Sequence, residues 1–184
     1  MTLTHPFLRK MFDEKLLRNT GRALDLGCGG GVDAQELAEL GYAVDAVEKD
    51  EKYSEALSKL AQNLSVSVHL AAIETFPIHP STYSVIIANN SLPFISEKKC
   101  VKDILRKSVA GLTENGVLYF TLFGPKDAWA SKNGMSFFAY DEALAFLQTL
   151  PVSVYHRSTE EGYGKTMKDE IKYWHIHRFF CMKK

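Results

Sequence analysis

Ala23-Leu24-Asp25-Leu26-Gly27-Cys28-Gly29-Gly30-Gly31 runs from a short, mostly apolar segment straight into a cluster of glycines. The first four residues read as a strand buried on both faces. The glycines then form a turn in which backbone can approach a ligand closely, because Gly27, Gly29 and Gly31 place no Cβ in the way. Residues 32–40 follow with Ala34, Leu37 and Ala38 on one face and Gly41 as the stop, which predicts a helix. The free N–H groups at its start point at the space above the turn.

The same alternation continues outward from this unit. Residues 42–47 predict a second strand. Residues 50–63 predict a helix carrying Tyr53, Ala56, Leu57, Leu60 and Ala61 at helical spacing. Residues 66–70 and 83–88 predict the third and fourth strands, the latter with Val85-Ile86-Ile87 in succession. A helix is expected over 97–112, a turn at Asn115-Gly116, and a fifth strand over 117–122. Asp141 is read as the cap of a helix reaching Leu150, which Pro151 closes. Strands over 152–156 and 172–181 complete the series, and residues 124–136 and 158–169 are read as long loops. Before the first strand, residues 3–19 predict a helix with Phe7, Leu8, Met11, Phe12 and Leu16 on one face, either covering the sheet edge or capping the site with His5 near its mouth. The pattern implies an α/β fold: a doubly wound, seven-stranded sheet, mainly parallel, with its last strand reversed. Residues 1–184 are expected to form a single domain.

Composition narrows the function classes. The chain has 184 residues, with 22 Lys+Arg against 22 Asp+Glu. Zero net charge argues against a general polyanion binder. The three cysteines, at 28, 100 and 181, are odd in number and lack metal-site spacing, so they read as reduced thiols of a cytoplasmic chain. No apolar run approaches membrane-spanning length and the first residues do not resemble a signal peptide. His175 and His177 share a strand face but lack a third ligand, so no metal site is expected.

In doubly wound sheets ligands bind beyond the carboxyl ends of the strands, which puts the glycine turn at the site. Dinucleotide sites use such a turn too. Asp25 discriminates: a pyrophosphate at the helix start would be repelled by its carboxylate, whereas a ligand with cationic groups is favoured. S-adenosylmethionine carries an ammonium, a sulfonium and a single carboxylate. Glu48 ends the second strand, 21 residues after Gly27, beside the turn, where its carboxylate can accept both ribose hydroxyls. Taken alone, Glu48 also reads as one residue of the solvated run Glu48-Lys49-Asp50-Glu51.

Residues 23–31 resemble the first motif of class I S-adenosylmethionine-dependent methyltransferases. Val44-Asp45-Ala46-Val47-Glu48 resembles the second motif, Tyr83 through Asn90 the fourth, and Gly116 through Leu122 the fifth strand with its turn. The likeness covers about residues 20–125 and implies a Rossmann-like sheet. More loosely, the chain resembles small-molecule branches such as tellurite-resistance and thiopurine-type methyltransferases. The resemblance implies cofactor contacts at Asp25, Gly27, Cys28, Gly29, Gly31, Glu48, Lys49, Asn89 and Asn90. The acidic residue that the family often places after the third strand is replaced here by Ala72. The adenine is then left to backbone at Ala72 and Ile73, or to Glu74 displaced by two.

Methyl transfer from a sulfonium needs alignment more than acid–base help, because the leaving group is already good. A base is required only for a protonated, weakly nucleophilic acceptor. Asn89, Asn90 and Ser91 follow the fourth strand and either border the reacting atoms or form a polar turn. Phe94, Phe123 and Trp129 either line an acceptor pocket or pack in the core. If the last strand is reversed, Lys172, Trp174 and His175 begin it near the acceptor, below the glycine-containing segment 161–165. His175 is then a candidate base, as is Asn90 for orienting the acceptor, against the alternative of a half-buried strand histidine. The expectation is an enzyme that methylates a small molecule, with no nucleic-acid partner. The rivals are a non-catalytic S-adenosylmethionine-binding protein, a nicotinamide-dependent oxidoreductase and a nucleic-acid methyltransferase.

Overall fold

Seven strands form one sheet in the order β3-β2-β1-β4-β5-β7-β6 in the computed structural model, which describes residues 21–166 and 168–184. The strands are β1 Arg22–Leu26, β2 Ala43–Glu48, β3 Val66–Leu70, β4 Tyr83–Ala88, β5 Leu112–Phe123, β6 Val152–Lys165 and β7 Ile171–Lys183. The helices are α1 Val32–Glu39, α2 Ser54–Asn63, α3 Lys98–Gly111 and α4 Tyr140–Leu147. β1 to β5 are parallel, and β7 runs antiparallel to both β5 and β6. This is the expected doubly wound α/β sheet with one reversed strand. The helix expected within residues 1–20 lies outside the described residues.

The core divides by sheet face. Ala23, Val85, Ile87, Tyr119 and Phe180 pack with Ala34 and Leu37 of α1. Leu24, Leu26, Ile86, Phe120 and Phe179 pack with Val101, Leu105 and Val109 of α3 and with Phe146 of α4. Alternation along each strand produces this division, since neighbouring residues point to opposite faces. One of the buried charged groups lies on β2. The buried Asp45 carboxylate accepts Arg22 Nη2 at 2.6 Å and lies 2.8 Å from His69 Nε2.

Several boundaries depart from the sequence reading. The expected loop over 158–169 is mostly strand: β6 continues to Lys165, with Gly162 facing Trp174 and Gly164 facing Lys172 across the ladder. Polar side chains and two glycines hide this strand from a hydrophobicity pattern. Gly164 is nonetheless suited to its place, because a Cβ there would come within 3.0 Å of the Trp174 ring. Asn115-Gly116 lies within β5, at a register shift against β4, with Asn115 at φ 59°. The helix over 50–63 opens with a 3₁₀ turn, Glu51–Tyr53, whose cap is Asp50. Asp141 lies in the first turn of α4, whose cap is Ala139.

The loop over 124–139 is tied to β7. Gly124 donates its amide to the His175 carbonyl at 2.7 Å, and Ala128 to that of Tyr173 at 3.0 Å. β5 pairs with β7 only as far as Phe123↔Ile176. Beyond that point β6 and β7 continue as a two-stranded ribbon above the carboxyl ends of the parallel strands.

Candidate functional site

The glycine bend is held from two sides. Gly27 and Cys28 donate their amides to the Val47 carbonyl, at 2.8 and 3.0 Å. Gly29 donates its amide to Glu48 Oε2 at 2.9 Å, while the amides of Lys49 and Asp50 donate to Oε1, each at 2.9 Å. Glu48 therefore fixes the shape of the bend and keeps its carboxylate half-buried at the strand end. Gly27, Gly29 and Gly31 have φ of 75°, 52° and 83°, in the left-handed region. A Cβ on Gly27 would lie 2.5 Å from that of Ser91 and 3.2 Å from the Ile73 side chain. The bend is thus pressed against the segments after β3 and β4, which brings Ile73 and Ser91 to it.

Asp25 lies beneath the bend, 1% exposed. The Ala34 amide, in the first turn of α1, donates to its carboxylate, but Oδ2 has no partner. Burial raises its pKa well above the usual carboxylate range, Asp33 and Glu48 push it the same way, and the Ala34 bond opposes them. The Cys28 thiol is raised by burial and by Asp25, Glu48 and Asp33, so it stays a neutral thiol. Three acidic side chains therefore surround one stretch of bare backbone. Sequence reading found two of them. Asp33 was missed because an acid in a first helical turn reads as ordinary helix chemistry.

At the end of β4, Asn89 Nδ2 donates to Asp33 Oδ2 at 3.0 Å, joining this turn to α1. Asn90 has φ 51°. Its amide donates to Thr121 Oγ1 at 2.7 Å, and the Thr121 hydroxyl donates back to Asn90 Oδ1 at 3.2 Å. Thr121 was not foreseen; a buried Thr in an apolar strand gives no periodic signal. Ser91 is buried under Gly27 with its Oγ unpaired. The Ala72 carbonyl accepts the amides of Thr75 and Phe76, each at 3.1 Å, so Ala72 and Ile73 form a closed turn after β3, and Glu74 is exposed.

Phe94, Phe123, Trp129 and Trp174 form one aromatic wall. Ring centroids are 6.1 Å apart for Phe94–Phe123 and for Phe94–Trp129, 5.5 Å for Phe123–Trp174 and 5.6 Å for Trp129–Trp174. Phe123, two residues beyond Thr121, shares its face of β5, so the wall continues from the Asn90–Thr121 contact. The Ser136 amide donates to the Pro93 carbonyl at 3.0 Å and the Phe138 amide to the Phe123 carbonyl at 2.8 Å, which secures the loop carrying Trp129.

The wall contains a buried ion pair that the sequence did not disclose. Lys172 Nζ donates to Asp127 Oδ1 and lies 3.8 Å from the ring centroids of both Trp129 and Trp174. Asp127 also accepts the amides of Trp129 at 2.9 Å and His175 at 3.2 Å. Burial pulls the Lys172 pKa below the ordinary lysine value, Asp127 opposes this, and Lys132 pushes with burial.

His175 stands apart from the wall. As the neighbour of Trp174 in a strand it projects from the opposite face. Its Nδ1 accepts the Lys126 amide at 3.1 Å, and its Nε2 faces Glu161 Oε1 at 3.5 Å. Beside it, 4.6 Å between centroids, His177 is held near neutral, its pKa lowered to about 4 by burial and by His175. Among the described residues no group of three or more His, Cys, Asp or Glu side chains is placed to hold a metal ion.

A doubly wound sheet with a reversed strand, a bare bend after β1 and acids at the ends of β1 and β2 is the architecture of a class I methyltransferase. The methyltransferase-domain family matches residues 23–116, and the chain belongs to that family. Solved structures of low identity share the fold. A SAM-dependent methyltransferase from Methanosarcina mazei aligns with a TM-score of 0.76 at 15% identity, covering 99% of each chain. An S-adenosylmethionine-dependent methyltransferase from Mesorhizobium loti aligns with a TM-score of 0.73 at 15% identity, covering 99% of this chain and 98% of the other. TehB from Haemophilus influenzae aligns with a TM-score of 0.78 at 19% identity, and 96% of this chain spans 62% of it. No curated protein sequence matches the chain significantly. Family and fold together indicate an enzyme whose cofactor is S-adenosylmethionine.

Proposed function

We propose that the chain, acting as one domain, transfers a methyl group from S-adenosylmethionine to a small-molecule acceptor by in-line displacement. The observation that carries the reading is the buried Asp25 carboxylate. Its Oδ2 lacks a partner beneath a bend on which Asp33 and Glu48 also converge. An unpaired buried carboxylate is costly until something cationic approaches it. S-adenosylmethionine offers an ammonium and a sulfonium; a dinucleotide would bring its anionic pyrophosphate to the same bend. The residues present therefore fit this cofactor.

Gly27, Cys28, Gly29 and Gly31 would admit the methionine portion against backbone, with Asp25 accepting from its ammonium. Glu48, already fixed by three amides, would accept from the ribose hydroxyls, and Lys49 follows it at the rim. Ala72 and Ile73 would border the adenine, with the Ile73 side chain against the bend. Asn89 and Asn90, anchored by Asp33 and Thr121, would border the sulfonium side, with Ser91 beneath. When bound, the cofactor supplies a methyl on a cationic sulfur, a good leaving group. The remaining task for the protein is to align the acceptor and exclude water, which in favourable cases accounts for about 7–11 kcal/mol of the barrier. Phe94, Phe123, Trp129 and Trp174 would supply a flat apolar surface for this. His175 Nδ1 is occupied by the Lys126 amide and the ring lies on the opposite face of β7 from the wall, which favours an acceptor that reacts without a protein base. Zero net charge favours a small acceptor over nucleic acid. A cytoplasmic location is part of the same proposal, and no helix among the described residues is long and apolar enough to cross a membrane.

Titration calorimetry with S-adenosylhomocysteine and with NADH, followed by transfer of labelled methyl to a panel of small acceptors, tests the reading. Binding of the first ligand and labelling of a small molecule are expected. Uptake of NADH alone would overturn the cofactor reading. Binding without transfer to any acceptor would leave a non-catalytic binding protein, and transfer to an RNA or DNA pool would replace the acceptor class.

A further inference from the structure

Rings of Trp129, Trp174 and Phe123 surround one point, with centroids 3.8, 3.8 and 5.0 Å from it, and that point is the Lys172 ammonium. Three aromatic faces around a cation make a recognition cage for ammonium ligands, because the ring faces are the negative ends of their quadrupoles. Here the chain fills its own cage. Lys172 is 7% exposed and its ion-pair partner Asp127 3%. The Asp127 carboxylate is fully engaged by Lys172 and by the amides of Trp129 and His175. A second cation, Lys132 Nζ, lies 4.5 Å from the Trp129 ring centroid. Two cations thus stand against the wall for one buried carboxylate. The outer part of the wall is open: Phe94 is 47% exposed, and Trp129 and Trp174 are half-buried.

We infer that Lys172 is a specificity-determining residue that makes the acceptor site a charge filter, admitting planar aromatic acceptors with negative charge and rejecting cationic amines. The inference rests on the reading that this wall is the acceptor site. An approaching ammonium meets like charge and finds the ring faces occupied. An anion meets unlike charge and a flat apolar surface on which its own ring packs. The polarity also suits the chemistry. The lone pair of an anionic acceptor forms the bond to the methyl carbon while the carbon–sulfur bond breaks with its pair on sulfur. The product is then a neutral methylated acceptor with no proton to remove, and the wall contains no free base.

Trp129 and Trp174 are the two tryptophans of the chain. Their indole N–H resonances therefore report this wall alone. We would titrate ¹⁵N-labelled full-length protein, saturated with S-adenosylhomocysteine, with benzoate and with benzylammonium. Benzoate is expected to shift both resonances with a Kd at least about tenfold lower than benzylammonium. Lys172→Met should reverse the preference, since it leaves the aromatic faces without a cation beside a carboxylate that has lost its counter-charge. The double variant Lys172→Met/Asp127→Asn, which strands no buried charge, should abolish the preference. The inference is overturned if the two ligands act equally on the wild-type protein, if benzylammonium is preferred, if neither moves the indoles, or if the double variant keeps the wild-type preference. Should either variant fail to fold, the wild-type comparison still decides. Calorimetry of S-adenosylhomocysteine on the same samples separates this outcome from failure of the cofactor reading.

Discussion

Glu48 Oε2 accepts the backbone amide of Gly29 at 2.9 Å, so the residue proposed to recognise the ribose also holds the bend in shape. Substitution acts through both roles. Glu48→Ala is expected to weaken S-adenosylhomocysteine binding by about ten- to a hundredfold, the loss of two charge-assisted hydrogen bonds net of water. Glu48→Gln keeps acceptor oxygen without the charge and should fall between. Calorimetry gives both values, and a change below about twofold for the alanine variant would remove Glu48 from the cofactor site.

Asp25 links the site to pH. Its folded-state pKa is raised, so the folded protein holds this proton at pH values where the unfolded chain has lost it. Unliganded stability should therefore fall as pH rises from the ordinary carboxylate range through the raised value. Cofactor affinity should rise over the same window, because only the ionised carboxylate pairs with an ammonium. Asp25→Asn should flatten both profiles, melting higher than wild type at neutral pH without ligand while binding S-adenosylhomocysteine far more weakly. Melting curves and calorimetry across pH check this, and an Asn variant that binds normally contradicts it.

Gly27→Ala introduces two faults at once. The residue sits at φ 75°, and its new Cβ would be 2.5 Å from that of Ser91. Left-handed strain costs about 1–2 kcal/mol and overpacking about 1–3 kcal/mol. A clear drop in melting temperature is expected, together with loss of ligand binding. Ser91→Gly in the same chain should restore part of the stability by removing the contact while leaving the strain. A single variant as stable as wild type would mean the bend is not pressed against the β4 turn.

His177 sets the acid side of the stability profile. Its folded-state pKa is lowered to about 4 by burial and by His175, against an ordinary value of 6.5. Its contribution is intact above pH 6.5 and drains away as pH falls toward 4, because the unfolded chain takes the proton first. The shift amounts to about 3 kcal/mol at most. His177→Gln should flatten the melting temperature between these pH values, even if it lowers the plateau. An unchanged acid slope would point to other groups.

Much of this molecule was legible because its signals are local. The order of strands and helices follows from apolar runs and helical spacing. The position of the bend follows from glycine, and the candidate ligand charge from Asp25 and Glu48 at two strand ends. Residues 23–48 carry the bend and both acids within one strand–helix–strand unit. The second half of β6, beyond the expected strand over 152–156, escaped because it is polar and glycine-containing. Its pairing is settled by β7, where Glu161 accepts the Tyr173 hydroxyl at 2.9 Å and Gly164 makes room for Trp174.

By itself the sequence determined the sheet, its reversed strand and the bend, since each depends on residues adjacent along the chain. Only the tertiary structure decided which candidates meet. Trp174 and His175 are neighbours in sequence but lie on opposite faces of β7, so one joins the aromatic wall and the other is held by Lys126. Lys172 and Asp127 are 45 residues apart, and nothing in their local context pairs them. They are brought together by the tie between the loop after β5 and the start of β7. A buried charge becomes tolerable only when packing delivers its partner, and a linear sequence does not record that delivery.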